Sequence, residues 1–390
     1  MLIPCALFMP RQNTETQSST IYYLSEKGVF SMAKNAYLVL ENGEVFEGFS
    51  FGSDQDAIGE IVFNTAMVGY LETLTDPCYY GQIVVQTFPM MGNYGVISSD
   101  FESARPWLSA YITREWCEKP SNFRCEGTLD AYLKEQGVPG LYGIDTRHLT
   151  KILRDQGTMN AFITCDQAKV AEGVARCKAF KLQNALAAVS NFDAYETVES
   201  GERTVVLWDF GARESVSLAL TNRGCKVVRV NAAATAEEIL SYGPAGVLLS
   251  AGPGNPAEYT AVIEEVKKLL AAKLPLFGIG LGHQLLALAQ GAKTEKLLYG
   301  HRGASQPVKF LENGHVYITT QNYGYAVLAD TLPEGAKATF VNANDNTCEG
   351  IDYADPAVFG VQFEPDIAGG SLDTHFLFDR FIEQIDAKKI

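Results

Sequence analysis

From Thr204 onward the chain alternates near-continuous apolar runs with amphipathic stretches, and no other feature limits the fold as much. The runs are Thr204-Val-Val-Leu-Trp-Asp, Lys226-Val-Val-Arg-Val, Gly246-Val-Leu-Leu-Ser and Leu274-Pro-Leu-Phe-Gly-Ile. Strands with no polar side are buried on both faces. Between them, Glu214 to Arg223, Ala236 to Ser241 and Ala257 to Lys273 carry helical spacing. This alternation predicts an α/β domain with a doubly wound parallel sheet. Its ligands should sit beyond the carboxyl ends of the strands.

The first half has a different rhythm. Tyr37-Leu-Val-Leu, Glu41-Asn-Gly and Val45-Phe-Glu-Gly read as a hairpin with Asn42-Gly43 in the turn. Glu60-Ile-Val-Phe-Asn and Gln82-Ile-Val-Val-Gln-Thr are further strands, rich in β-branched residues. Leu129 to Gln136 and Arg147 to Gln156 have helical spacing. The expected organisation is a mixed α+β domain over 32–182, a helix-and-linker segment over 183–203 and the α/β domain over 204–390. Residues 1–31 are apolar and then polar, with no basic segment or small-residue cleavage site of a secretory signal. They read as a disordered extension or a start assigned too early, the chain proper beginning near Met32.

A length of 390 residues suffices for two ordinary domains. The net charge of −15 disfavours a nucleic-acid partner, which would require clustered Lys and Arg. No apolar run approaches the ~20 residues that span a bilayer, so a membrane role is not expected. Eight scattered cysteines form no C-x-x-C pair, and five histidines show no metal-binding spacing. Thiols in a reducing, cytoplasmic setting are the expectation, with no metal site.

Three loops follow strands of the second domain. Ser250-Ala-Gly-Pro-Gly-Asn-Pro offers backbone N–H groups for close approach to a ligand, though a plain strand-to-helix turn reads equally well. Phe277-Gly-Ile-Gly-Leu-Gly-His-Gln lies where a nucleophile elbow would lift one side chain beside a helix N-terminus. The residue at that elbow is Gly280, which has no side chain to offer. Phe359-Gly-Val-Gln-Phe-Glu-Pro-Asp ends a strand in two carboxylates, Glu364 and Asp366.

At these loops the chain resembles the class of glutamine amidotransferases whose triad is Cys-His-Glu, with G-x-C-L-G-H-Q at the elbow and H-P-E after a late strand. Phe63-Asn-Thr-Ala-Met-Val-Gly-Tyr, Thr75-Asp-Pro, Gln82-Ile-Val, Gly92-Asn-Tyr-Gly and Ile144-Asp-Thr-Arg narrow the resemblance to the carbamoyl phosphate synthase small-subunit family. So do Asp209-Phe-Gly-Ala-Arg and Gln321-Asn-Tyr-Gly-Tyr. The resemblance implies a glutamine pocket formed by Cys78, Gly252, Gly254, Leu281, Gln284, Asn322, Gly324 and Tyr325. Cys78 departs from the family's Ser and Tyr325 from its Phe. At the triad positions the departure is complete: Gly280 stands for Cys, Glu364 for His and Asp366 for Glu.

Amide hydrolysis by this route needs a thiolate, an imidazole that activates it, and a carboxylate that orients the imidazole. The leading expectation is therefore a subunit that has lost glutamine hydrolysis and serves a structural, regulatory or ammonia-dependent role. The resemblance implies a large-subunit partner that binds ATP and Mg and makes carbamoyl phosphate for arginine and pyrimidine biosynthesis. No cofactor is expected on this chain. Two rival readings are a working glutaminase with an unorthodox nucleophile, Cys78 foremost, and a free-standing glutamine sensor. His283 and His375 are further, weaker candidates to substitute for the missing imidazole. A positive φ is expected at the elbow, where Gly relieves strain.

Overall fold

The computed structural model describes residues 34–190, 192, 197–198, 201–366 and 372–388; the expectation for residues 1–31 lies outside them. Asn35–Ile390 forms one compact unit.

The hairpin forms as read. Strands Asn35–Leu40 and Val45–Gly52 pair antiparallel, and the turn closes through Gly43 N–H donating to the Leu40 carbonyl at 3.0 Å. What the sequence did not disclose is closure. Five further strands complete a barrel in the order Asn35–Leu40, Val45–Gly52, Pro139–Tyr142, Ala110–Ile112, Gln82–Gln86, Ala57–Asn64, Met159–Thr164, and the last pairs back on the first. Closure removes the exposed edges that an open sheet would present. Helix Thr146–Gln156 buries Leu149, Ile152 and Leu153 against Leu38, Ile83, Val85 and Ile163, its start capped by the Asp145 side chain accepting from His148 N–H at 2.9 Å.

The second half builds a ten-stranded sheet. Its parallel core runs Cys225–Asn231, Arg203–Asp209, Gly246–Leu249, Leu276–Ile279, Val358–Val361. Alternate residues of each strand point to opposite faces, and both faces are buried. Val206, Trp208, Val247 and Leu249 pack with helices Ala236–Ser241, Thr260–Ala271 and Leu281–Ala289. Val205, Leu207, Leu248 and Phe277 pack with Glu214–Thr221 and Phe376–Ala387. The sheet is thus doubly wound, but parallel only in this core. Beyond Val358–Val361 it continues antiparallel through Cys348–Asp352, Lys337–Asn342, Thr294–Phe310 and Val316–Val327.

Two expectations need amending. The segment 183–203 has the expected helix, Ala185–Val189, which contributes Leu186 to the core, but it also has a strand: Thr197–Val198 pairs antiparallel with Cys225–Asn231. The helix expected over 257–273 starts at Thr260, because Pro256–Glu258 forms a separate turn whose first N–H is taken by the Asn255 side chain.

The barrel and the sheet are joined along a polar seam. Thr65 N–H donates to the Arg302 carbonyl at 3.2 Å, Thr158 N–H to the Leu298 carbonyl at 2.9 Å, and Lys296 reaches Glu60 at 2.6 Å.

The elbow is held by close backbone packing. Helix Leu281–Ala289 presses on the central strand at Gly282, where a Cβ would overlap the Leu249 carbonyl. Gly282→Ala would gain helix propensity worth about 1 kcal/mol. The overlap is with backbone that cannot rotate away, and overpacking of this kind costs about 1–3 kcal/mol. The variant is expected to be less stable than the parent in urea unfolding, by about 1 kcal/mol or more; a gain in stability would mean that helix and strand are less tightly apposed.

Candidate functional site

At the carboxyl ends of strands Gly246–Leu249 and Leu276–Ile279 lies a cavity of about 480 Å³. All eight expected pocket residues line it: Cys78, Gly252, Gly254, Leu281, Gln284, Asn322, Gly324 and Tyr325. Gly280 and Glu364 line it as well, whereas Asp366 lies behind the wall. Residues far apart in the chain are thereby brought together, and no histidine is among the described residues of the lining.

Each wall has its own support. Ser250 accepts from Phe210 N–H at 2.8 Å and so sets the course of the loop that carries Gly252 and Gly254. Gln284 projects from the first turns of the elbow helix, its amide nitrogen donating to the Tyr325 carbonyl at 2.6 Å and to Gln362 at 3.0 Å. Asn322 donates to the Asp76 carboxylate at 2.8 Å, tying the strand Val316–Val327 to the barrel side. Cys78 arrives from that side in the turn Pro77–Tyr79, where Asp76 accepts from its N–H at 2.9 Å.

The elbow has the expected backbone. Gly280 has φ 56° and ψ −111°, its N–H donating to the Val361 carbonyl at 2.9 Å. A side chain here would be strained by that φ, and its Cβ would come 3.0 Å from the Ala251 Cβ. Glycine relieves both.

Glu364 and Asp366 belong to a buried charge cluster that sequence reasoning missed. The guanidinium of Arg213, 3% exposed, is ion-paired with Glu364. Its Nε and Nη2 donate to the Asp366 carboxylate at 3.0 and 2.8 Å. Asp76 stands 3.8 Å away. Glu102 joins through Ser215, whose hydroxyl lies 2.8 Å from oxygens of both Glu102 and Asp366. Asp209 positions the arginine: its carboxylate accepts from Gly211 and Ala212 N–H at 2.7 and 2.6 Å, folding the loop that ends in Arg213. The motifs Thr75-Asp-Pro and Asp209-Phe-Gly-Ala-Arg contain two of these charges, but nothing in their spacing announces that they meet.

Four carboxyl groups around one guanidinium would leave a buried excess of negative charge if all were ionised. The Ser215 hydroxyl bridges two of these carboxyls, 2.8 Å from an oxygen of each. Burial, opposed by Arg213 and reinforced by Asp76 and Asp366, pushes Glu364 up to about 8. Burial also raises Glu102 above the usual carboxyl range.

The other groups read as candidate nucleophile or base are all buried or lie off the cavity. Burial, reinforced by Asp76, pushes the Cys78 thiol well above its usual range, so it stays protonated. His283 is buried, and burial, opposed by the Gly360 backbone, pushes it down to about 3. It sits against Gly360 behind the sheet, and His375 immediately precedes helix Phe376–Ala387; neither lines the cavity.

The proton on Glu364 has a thermodynamic signature. The folded chain keeps it above pH 4.5, where the unfolded chain releases it, so the folded state binds more protons between about pH 4.5 and 8. Stability must fall as pH rises through that window, with a slope of at most about 1.4 kcal/mol per pH unit for one proton. Glu364→Gln cannot titrate. Its urea-unfolding free energy should fall less steeply than the parent's over that window, and parallel profiles would place the proton elsewhere.

Comparison with known proteins places this geometry in a family. Residues 38–163 match the carbamoyl-phosphate synthase small chain CPSase domain, and residues 206–384 match glutamine amidotransferase class-I. The chain is 45% identical over 359 residues to the carbamoyl phosphate synthase small chain of Symbiobacterium thermophilum, covering 90% of this chain and 99% of that one. It is 45% identical over 348 residues to the small chain of Clostridium perfringens, covering 89% and 99%, and 46% identical over 354 residues to that of Fusobacterium nucleatum, covering 90% and 98%. With a barrel matched by the first domain and a doubly wound sheet by the second, this chain belongs to the carbamoyl phosphate synthase small chain family.

Proposed function

We propose that this chain acts as a carbamoyl phosphate synthase small subunit that has lost glutamine hydrolysis, docking on a large synthase subunit in a structural, regulatory or ammonia-dependent role. The observation that carries the reading is the absence of any side chain at the elbow: Gly280 offers the cavity nothing that attacks an amide. The family's imidazole position holds Glu364, whose carboxyl is engaged by Arg213. A carboxyl engaged by Arg213 does not generate a thiolate as an imidazole does, and with no side chain at residue 280 it has no nucleophile to activate. Loss of single members of such constellations costs several orders of magnitude in rate.

The pocket supports a second element of the reading. Eight residues of the expected glutamine site still surround one cavity, so the amino acid can bind without being hydrolysed. This keeps the sensor role alive as a function of the same subunit. The rival of an unorthodox nucleophile has Cys78 in the cavity, but burial and Asp76 push its thiol up, away from the thiolate that attack needs.

The test is reconstitution with the large subunit. The complex should make carbamoyl phosphate from ammonium salts, ATP and bicarbonate, and make none above background from glutamine. A glutamine-supported rate within tenfold of a relative bearing Cys, His and Glu at these positions would overturn the proposal. Failure with ammonium, while the large subunit is folded and binds ATP, would point to a different role altogether.

A further inference from the structure

Arg302 stands in the strand Thr294–Phe310, paired in register with Asn322, and its side chain lines the cavity. It is 4% exposed. Buried guanidinium groups are ordinarily neutralised by a carboxylate, because desolvating an unpaired charge costs several kcal/mol. Here the partners run short. Nη1 donates to the Tyr299 carbonyl at 2.9 Å, Nε has no partner, and no carboxylate among the described residues forms an ion pair with it. Glu60, whose field reaches Arg302, is occupied by Lys296 at 2.6 Å and Thr158 at 2.9 Å. Nη2 lies beside Gly324, where an added Cβ would come within 3.3 Å of it.

Arg302 contrasts with Arg213, which is buried to the same degree and has acids on several sides. The guanidinium lines the cavity, its Nη2 beside Gly324. From this we infer that Arg302 recognises a free carboxylate on a small molecule bound in the cavity, beside the neutral Gly252, Asn322, Gly324 and Tyr325; Lys181 and Lys296 also line the cavity, but Lys296 is paired with Glu60. The inference deepens the reading that the cavity still admits an amino acid. It assigns the group that would read the α-carboxylate end, away from the elbow. A carboxylate fits better than a phosphate, since a single guanidinium with one nitrogen already committed matches one negative charge.

Calorimetric titration of the full chain tests this with three probes: L-glutamine, L-glutamine α-amide and inorganic phosphate. Glutamine should bind at least tenfold more tightly than its α-amide, a comparison that needs no variant. Arg302→Met should lose at least tenfold in glutamine affinity and leave the weak binding of the α-amide unchanged, while Arg302→Lys should fall between. Equal binding of glutamine and its α-amide would overturn the inference, as would glutamine binding unchanged in Arg302→Met. So would phosphate binding that depends on Arg302 in a chain that ignores glutamine. Absence of any glutamine binding by the parent chain overturns it too, and leaves the loss of hydrolysis to be judged by the ammonium and glutamine assays alone. Should Arg302→Met fail to fold, the α-amide comparison and Arg302→Lys decide.

Discussion

The guanidinium of Arg213 organises the region on which this account rests. It faces Asp76 and Glu102 from the barrel half, and Glu364 and Asp366 from the sheet half. With these groups buried together, neither the loop after strand Val358–Val361 nor the turn before Cys78 can shift without exposing an uncompensated charge. Such a cluster adds little net stability against an apolar replacement of the same shape, because desolvation consumes most of the Coulombic gain. Its effect is positional: removing one member leaves the others unpaired, which is costly, and so the two halves keep one arrangement.

The same cluster defines what the site can do. Nucleophilic amide hydrolysis requires a thiolate at the elbow and a cation that appears beside it at the right moment. In this chain the permanent cation is Arg213, saturated by carboxyl groups and unable to give up a proton at neutral pH. The elbow itself is relaxed, glycine occupying a φ of 56° that any other residue would hold under strain. The elbow has hydrogen bonds to the Val361 and Ser250 carbonyls, so the wall of the cavity holds its form with no side chain at residue 280.

Much of this was legible in the residues. The four apolar runs of the second half all became core strands, because strands buried on both faces leave no polar alternation to misread. Gly280 at the elbow and the eight pocket residues were placed by motif, and the cavity gathers them. The closed barrel was not legible, since its ring depends on Pro139–Tyr142 inserting between Val45–Gly52 and Ala110–Ile112, pairings far apart in sequence. Nor was the antiparallel extension of the sheet, whose long strands Thr294–Phe310 and Val316–Val327 are half exposed and broken by register shifts. The charges of Arg213 and Arg302 were visible as letters. Their difference, one surrounded by acids and the other lacking an ionic partner, exists only in three dimensions.

The central claim is that no group in this cavity forms a covalent bond with glutamine. The most direct measurement is intact-mass analysis, with peptide mapping, of the chain in complex with its large subunit after acid quench from glutamine or 6-diazo-5-oxo-norleucine. The account predicts an unmodified small chain under both conditions. A stoichiometric γ-glutamyl or norleucine adduct on any residue, Cys78 above all, would contradict it.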